Sequence, residues 1–219
     1  MTPPPPESVP RNPAAPLLIL ISAPSGGGKT TLCQHLLAGH PEMTRAITCT
    51  TRAPRPGERD GVDYYFLDPA AFARRVAEGG LLEHASVYGH CYGTPKSEVL
   101  ERLRQGNDVL LAVDVQGAAA VCSAAARDPG LRGALVTVFL TPPSLAELEG
   151  RLRKRATDSE AALRKRLGVA RAEIAQWPNF KYLLLSTTVA EDLRRMECII
   201  QAERMSHSRA LPPGDCLRS

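Results

Sequence analysis

No run of apolar residues in this 219-residue chain approaches the roughly 20 needed to cross a bilayer, which excludes a membrane-spanning reading. The cysteines Cys33, Cys49, Cys91, Cys122, Cys198 and Cys216 form no C-x-x-C pair. No basic and then apolar leader precedes them, so reduced thiols in a cytoplasmic protein are expected rather than a disulfide framework. The histidines His35, His40, His84, His90 and His207 show neither H-x-x-x-H spacing nor a His/Cys grouping, which speaks against a structural metal. Positive charge is modest, a net +4, and its excess is gathered in residues 151–166. A local anion site accounts for that distribution better than nucleic-acid binding does. The remainder, 43% hydrophobic and 23% charged, suffices for one α/β domain with a substantial core and room for small insertions.

Against these absences stands one dense stretch, Ile19-Leu20-Ile21-Ser22-Ala23-Pro24-Ser25-Gly26-Gly27-Gly28-Lys29-Thr30-Thr31. Residues 17–21 are an apolar run of strand length that stops at a Pro/Ser/Gly cluster, and residues 31–37 read as a helix. A strand feeding a glycine-rich turn that opens a helix aims consecutive backbone N–H groups, and the positive helix end, at one point that suits phosphate. Gly26, Gly27 and Gly28 let the backbone take positive φ and approach phosphate oxygens. Lys29 supplies a cation to the β and γ phosphates, and Thr30 offers a hydroxyl to Mg²⁺. The pattern G-x-x-x-x-G-K-S/T is met except at its first position, where Ala23 fits if its φ is negative.

Along the rest of the chain, the proline-studded residues 1–16 are expected to form a disordered tail. A second strand is expected over 45–48. Thr50-Thr51-Arg52-Ala53-Pro54-Arg55-Pro56-Gly57-Glu58 then places two guanidiniums on a loop that its prolines stiffen. Such a loop suits a second phosphate, although the stretch taken alone reads better as a solvated loop with its charges pointing outward. A strand over 62–67, a helix from Asp68-Pro69 to about residue 78, and a strand over 81–85 carrying Glu83 follow. A turn-rich stretch over 88–93 leads to a helix start at Thr94-Pro95, and the whole reads as an inserted lobe. Tyr64 and Tyr92 fit either the packing of that lobe or hydroxyl donation to a ligand.

The apolar run 108–113 ends on Asp114, an acid at the end of a central strand beside the cradle, where a P-loop enzyme orders Mg²⁺. A helix over 116–127, a strand over 134–140 and a helix from Pro142-Pro143-Ser144 to about residue 155 continue the alternation of a parallel, doubly wound sheet. Thr157-Asp158-Ser159-Glu160 matches a capping box for a helix closed by Trp177-Pro178. With Arg151, Arg153, Lys154, Arg155, Arg164, Lys165, Arg166 and Arg171 this makes a basic helix-turn-helix. Beside a phosphate cradle, a mobile flap that closes over transferring phosphates accounts for it better than a solvated face. A last strand over 182–185, and a helix whose core face carries Val189, Leu193, Met196 and Ile200, precede a frayed end beyond Met205.

Residues 17–204 resemble the guanylate kinase family, which moves a phosphoryl group from ATP to GMP. The resemblance is carried by the stretch from Thr50 to Glu58 followed by Gly61-Val62-Asp63-Tyr64-Tyr65-Phe66. Glu83, Tyr92-Gly93-Thr94, Asp114-Val115-Gln116-Gly117, and Arg155-Ala156-Thr157 with Arg166 fall where the family pattern has them. It implies a P-loop core (17–47 and 98–205), an inserted GMP-binding lobe (48–97), a helical lid (153–163) and a flexible tail (206–219). By the same likeness ATP would lie on Ala23, Pro24, Ser25, Gly26, Gly27, Gly28, Lys29, Thr30 and Thr31. Arg52, Arg55, Tyr64 and Tyr92 would hold the GMP phosphate, and Glu83, Thr94 and Thr48 would read guanine. Lys29, Arg155 and Arg166 would act on the transferring phosphoryl, with Thr30 and Asp114 holding the Mg²⁺ that accompanies ATP. This chain departs from the family pattern at Thr48 (Ser), Ala112 (an acid), Ala156 (Gly) and Ser186-Thr187 (Asn-Asp). The rival readings are a catalytically inactive guanylate-kinase-like interaction module, which generally lacks a working cradle, and a P-loop kinase for another substrate. Lys29, Thr30, Asp114 and the two lid arginines favour an enzyme.

Overall fold

The computed structural model describes residues 15–87, 89–155 and 160–209, without the side chains of Val87 and Arg155. Residues 1–14 of the tail expected over 1–16, and the capping-box residues Thr157, Asp158 and Ser159, lie outside the described residues.

The fold is built around β1 (Leu18–Ser22), which is buried along its whole length. It lies at the centre of a five-stranded sheet in the order β2 (Met43–Arg45), β7 (Asp108–Ala112), β1, β8 (Leu135–Thr141), β9 (Tyr182–Leu185). Every neighbouring pair in this sheet is parallel. Successive side chains of a strand point to opposite faces, and here both faces are covered, which is why the β1 sequence is apolar throughout rather than alternating. Ile19 and Ile21 pack with Leu32 and Leu36 of α1 (Lys29–Gly39) and Met196 and Ile200 of α8 (Val189–Arg204). Leu18 and Leu20 pack on the other face with Val99 of α3 (Lys96–Arg104), Val121 of α4 (Val115–Arg127) and Leu131 of α5 (Pro129–Ala134). Each such buried aliphatic side chain contributes about 1.5–3 kcal/mol, so β1 is the best-anchored platform available for a site at its end.

A second, four-stranded sheet runs β4 (Tyr65–Phe66), β3 (Cys49–Thr50), β6 (His90–Pro95), β5 (Leu81–Val87). Two expectations are corrected here. Residues 90–93, expected within a turn-rich stretch over 88–93, belong to a strand that runs on to Pro95, because it pairs antiparallel with both β5 and β3. Gly93 permits that closeness, since a Cβ there would sit 2.8 Å from Leu81 Cδ1 and 3.0 Å from the Glu83 carbonyl. The strand expected over 62–67 is reduced to β4, because Val62 and Asp63 form a turn whose N–H groups both donate to the Arg59 carbonyl. Asp68 does cap α2 (Pro69–Ala77), accepting from the Ala71 N–H at 2.7 Å.

On the other side of the cradle, α6 (Leu145–Arg155) and α7 (Glu160–Ile174) pack through Leu148, Leu152, Leu163 and Ala170. α7 ends three residues before Trp177, which instead opens a short 3-10 turn, Trp177–Asn179. Past Met205 the chain stays anchored through residue 209: Arg209 is buried, pairs with Glu203 and donates to the Gly133 carbonyl at 2.8 Å. Among the described residues no helix is long and apolar enough to cross a membrane.

Candidate active site

Residues 23–28 turn tightly from the C-terminal end of β1 into α1. Gly26 (φ 84°) and Gly28 (φ 99°) adopt the left-handed conformation that glycine tolerates without cost. Gly28 is also the N-cap of α1 and offers no side chain to it, and no acidic residue lies in the first turn. The first N–H groups of the helix are therefore left for an outside acceptor. A Cβ at Gly26 would meet Leu152 Cδ2 at 2.8 Å, so α6 presses directly on this loop. Ala23, in the place of the expected first glycine, is buried with only 5% exposure.

Lys29 Nζ donates to the Val113 carbonyl at 2.7 Å, at the end of β7. Burial pulls its pKa down, and the nearby Asp114 carboxylate opposes that shift. Thr30 is exposed in the first turn of α1. Asp114 is exposed at the start of α4 and commits one oxygen to capping that helix, accepting the Gly117 N–H at 2.8 Å. Among the described residues no group of three or more His, Cys, Asp or Glu could hold a metal ion by itself.

Glu83 and Thr94 stand directly opposite each other on β5 and β6, so their side chains share one face of the second sheet. Thr94 Oγ1 donates to Glu83 Oε1 at 2.6 Å, and both residues are buried. Burial raises the Glu83 pKa, the Thr94 hydrogen bond works against the rise, and the charge of Asp114 adds to it. The bland alternative for Glu83, an ion pair with Lys96, is absent, because Lys96 Nζ pairs with Asp128 Oδ2 at 2.9 Å. Gly117 brings the two halves together. A Cβ built there would lie 3.4 Å from both Asp114 Oδ1 and Glu83 Oε2, so the start of α4 separates the two carboxylates by little more than a glycine.

The basic loop is already organised. Arg52 Nη2 donates to both oxygens of Glu58 at 2.9 Å, and the Arg52 guanidinium lies over the rings of Tyr64 (5.5 Å) and Phe66 (6.0 Å). Tyr92 meets Tyr64 edge-on at 6.2 Å. Glu58 further accepts the Arg55 N–H at 2.7 Å, and that backbone bond is the main reason its carboxyl pKa is lowered. Arg55 is exposed, and Thr48, partly buried, accepts the Tyr65 N–H through its backbone carbonyl at 2.9 Å. Arg166 is exposed on α7, while the side chain of Arg155 and the lid residues 156–159 lie outside the described residues.

Three contacts here were not read from sequence. Glu58 orients Arg52, and the spacing Arg-x-x-x-x-x-Glu on a proline-stiffened loop is a signal that could have found it. Glu173 of α7 faces the Ser25 backbone N–H, with one carboxylate oxygen buried and unpartnered among the described residues. Arg151 of α6 binds Ser186 beside the cradle, a contact between segments 35 residues apart that no local pattern announces.

A family model described as guanylate kinase matches residues 15–203. The chain is 40% identical over 193 residues to a guanylate kinase of Maricaulis maris, covering 88% of this chain and 86% of that protein. It is 42% identical over 195 residues to one of Zymomonas mobilis, covering 89% and 88%. Among solved structures, a guanylate kinase from Anaplasma phagocytophilum superposes with a TM-score of 0.67 at 31% identity, covering 90% of each chain. With a family model spanning nearly all of its described residues and relatives at this identity along most of its length, the chain belongs to the guanylate kinase family.

Proposed function

We propose that this protein transfers the γ-phosphoryl group of ATP to GMP, giving ADP and GDP, as a cytoplasmic enzyme that uses magnesium. The observation that carries the reading is the juxtaposition at Gly117. A buried carboxylate that a neighbouring hydroxyl has oriented lies one glycine away from the acid that ends the strand beside the phosphate cradle.

Guanine offers a ring N–H and an exocyclic amino group side by side, and the two oxygens of an ionised carboxylate accept such a pair in one plane. Glu83 performs that task, with Thr94 and Thr48 completing the base edge. Arg52 and Arg55, with Tyr64 and Tyr92, receive the GMP phosphate, and Glu58 fixes the guanidinium plane of Arg52 before the ligand arrives. The loop from Ala23 to Thr31 receives the triphosphate, with Lys29 aimed at its β and γ groups. The acceptor oxygen of GMP then faces the γ phosphorus in line. Phosphoryl transfer needs little covalent help from a protein, so catalysis is positioning plus neutralisation of charge on the moving group by Lys29, Arg155 and Arg166. No covalent intermediate on the protein is required.

The exposed Thr30 hydroxyl and Asp114 carboxylate are hard oxygen donors, and too few by themselves for a closed site. That matches a divalent ion that keeps several waters and borrows its remaining ligands from phosphate, as Mg²⁺ does. Bound with ATP, the ion would neutralise β and γ oxygens.

The reading as an inactive interaction module has no observation in its favour, since the cradle is complete around Lys29. An ADP-release assay across GMP, dGMP, AMP, CMP and UMP tests the proposal. Turnover confined to the guanine nucleotides is expected, with AMP poorer by roughly 10⁴ because it would leave the buried carboxylate without donors. Comparable rates with AMP would overturn it.

A further inference from the structure

The chain passes from the five-stranded sheet to the four-stranded one between β2 and β3, and it returns through α3. One carboxylate joins the two crossings. Glu98 stands in the first turn of α3, next to Val99, which is fully buried against the first sheet. Its Oε1 accepts the Ile47 N–H at 3.2 Å and Arg102 Nε at 2.6 Å, and its Oε2 accepts the Tyr65 hydroxyl at 2.9 Å. Three separate segments of the chain thus meet on two oxygen atoms. The Glu98 side chain is only 11% exposed, so solvent screens these charge-assisted bonds little. Burial, and the hydrogen bond to this carboxylate, raise the Tyr65 pKa, which keeps its hydroxyl a donor.

Both halves of the region that faces GMP hang from this point. Ala46, one residue before Ile47, donates its N–H to the Leu110 carbonyl of β7 at 3.2 Å and so belongs to the first sheet. Thr48, one residue after, accepts the Tyr65 N–H at 2.9 Å and so belongs to the second. Glu98 therefore holds the backbone immediately before the threonine of the base edge. β4 is an edge strand of two residues whose sheet partner is β3, which is little backbone pairing to fix its place. Successive side chains of a strand point to opposite faces. Tyr64 and Phe66 turn their rings to the Arg52 guanidinium, while Tyr65 between them turns away and is fastened to Glu98. The platform under Arg52 is tied from behind to a helix of the core.

We propose that Glu98 is a positioning residue for GMP: through Ile47 it sets Thr48, and through Tyr65 it sets the Tyr64–Phe66 platform of Arg52, so the base edge and the phosphate platform share one anchor. The inference rests on the phosphotransfer reading above and adds to it a residue that acts only through others. Without this anchor, GMP itself has to order β4 and the entry to β3, and the loss falls on GMP affinity rather than on the chemical step. The phosphate cradle at the end of β1 is held independently of Glu98, and nucleotide binding there is spared.

The test compares the full chain with its Glu98→Ala, Glu98→Gln and Tyr65→Phe variants. Calorimetry gives the GMP dissociation constant, displacement of a fluorescent ADP analogue gives that of ADP, and turnover at saturating ATP gives kcat and KM for GMP. Glu98→Ala should weaken GMP binding and raise its KM by about tenfold or more, with kcat falling by less and ADP binding unchanged within about twofold. In Glu98→Gln the amide oxygen still accepts from Ile47 and the amide nitrogen donates to the Tyr65 oxygen, so most of the loss should be recovered. Tyr65→Phe removes a single hydroxyl and leaves the fold intact; it should raise KM for GMP by about three- to tenfold, and add nothing in the Glu98→Ala background. Unchanged GMP constants in Tyr65→Phe or Glu98→Ala, an equal loss of GMP and ADP, or a Gln variant no better than Ala would each overturn the proposal. Absence of ATP-to-GMP turnover in the parent would sink the phosphotransfer reading instead, while the GMP and ADP dissociation constants would still decide this one.

Discussion

Replacing Glu83 by Gln keeps the shape of the buried side chain and removes the property on which the proposed base choice depends. The amide has one acceptor and one donor group where guanine presents two donors, so one charge-assisted hydrogen bond is lost, at a cost of about 1.5 to 2 kcal/mol. A donor is also left facing a donor without water, which costs about as much again. Together these come to about 3 to 4 kcal/mol, or a fall in kcat/KM for GMP of between about 10² and 10³. Stability should move the other way. Burial raises the folded-state pKa of Glu83 above its unfolded value, so the ionised carboxylate costs the fold stability as pH rises through that raised pKa. Glu83→Gln removes that cost, and its Tm at pH 7 should equal or exceed that of the parent, with the difference shrinking as the pH is lowered toward the ordinary carboxylate range. In the parent, kcat/KM for GMP should fall on acidification through the same raised pKa, and in the variant this titration should vanish. Steady-state kinetics from pH 5 to 8 with GMP varied, paired with thermal melts, reads all of this. Unchanged GMP kinetics in Glu83→Gln, with the GMP:AMP preference intact, would refute the assignment of this carboxylate to the base.

Lys29→Ala should reduce kcat by about two orders of magnitude or more, as removal of a preorganised electrostatic stabiliser does, and near-normal single-turnover rates would contradict its placement. Arg166→Ala and Arg155→Ala should each lower kcat and kcat/KM together while leaving the GMP dissociation constant nearly unchanged; an effect confined to KM would show that they only bind substrate. Glu58→Ala frees the Arg52 guanidinium from its two 2.9 Å contacts, and KM for GMP should rise several-fold with kcat less affected. A fall in KM would show instead that Glu58 competes with the phosphate for Arg52.

The parts of this molecule that could be read from sequence are those whose cause is local. The cradle is one contiguous stretch, and β1 and β9 announce themselves as apolar runs of strand length between turn residues. Asp68-Pro69 capped its helix as read, and the same signal at Asp128-Pro129 starts α5, a six-residue helix that went unread although Asp128 accepts from Gly130 and Leu131. β6 could not be read in this way. His90-Cys91-Tyr92-Gly93 has the composition of a turn and becomes a strand because partners on both sides supply its hydrogen bonds. The Glu83–Thr94 pair depends on that hairpin register, which no periodicity in the chain supplies, and the likeness to a family implied a shared task for the two residues but not their pairing. The same holds for the contacts of Arg151 with Ser186 and of Glu173 with the cradle loop, where side chains from distant segments meet only once the sheet has ordered its helices.

The central claim is that one phosphoryl group moves directly from the triphosphate in the cradle to the monophosphate read by Glu83. It is tested most directly by incubating the protein with magnesium, GMP and ATP labelled at the γ phosphorus, then separating the nucleotides. The account predicts the label in the β position of newly formed GDP, in amounts equal to the ADP produced, with none on the protein. Label recovered as inorganic phosphate, on the protein, or in a nucleotide formed equally well from AMP would contradict it.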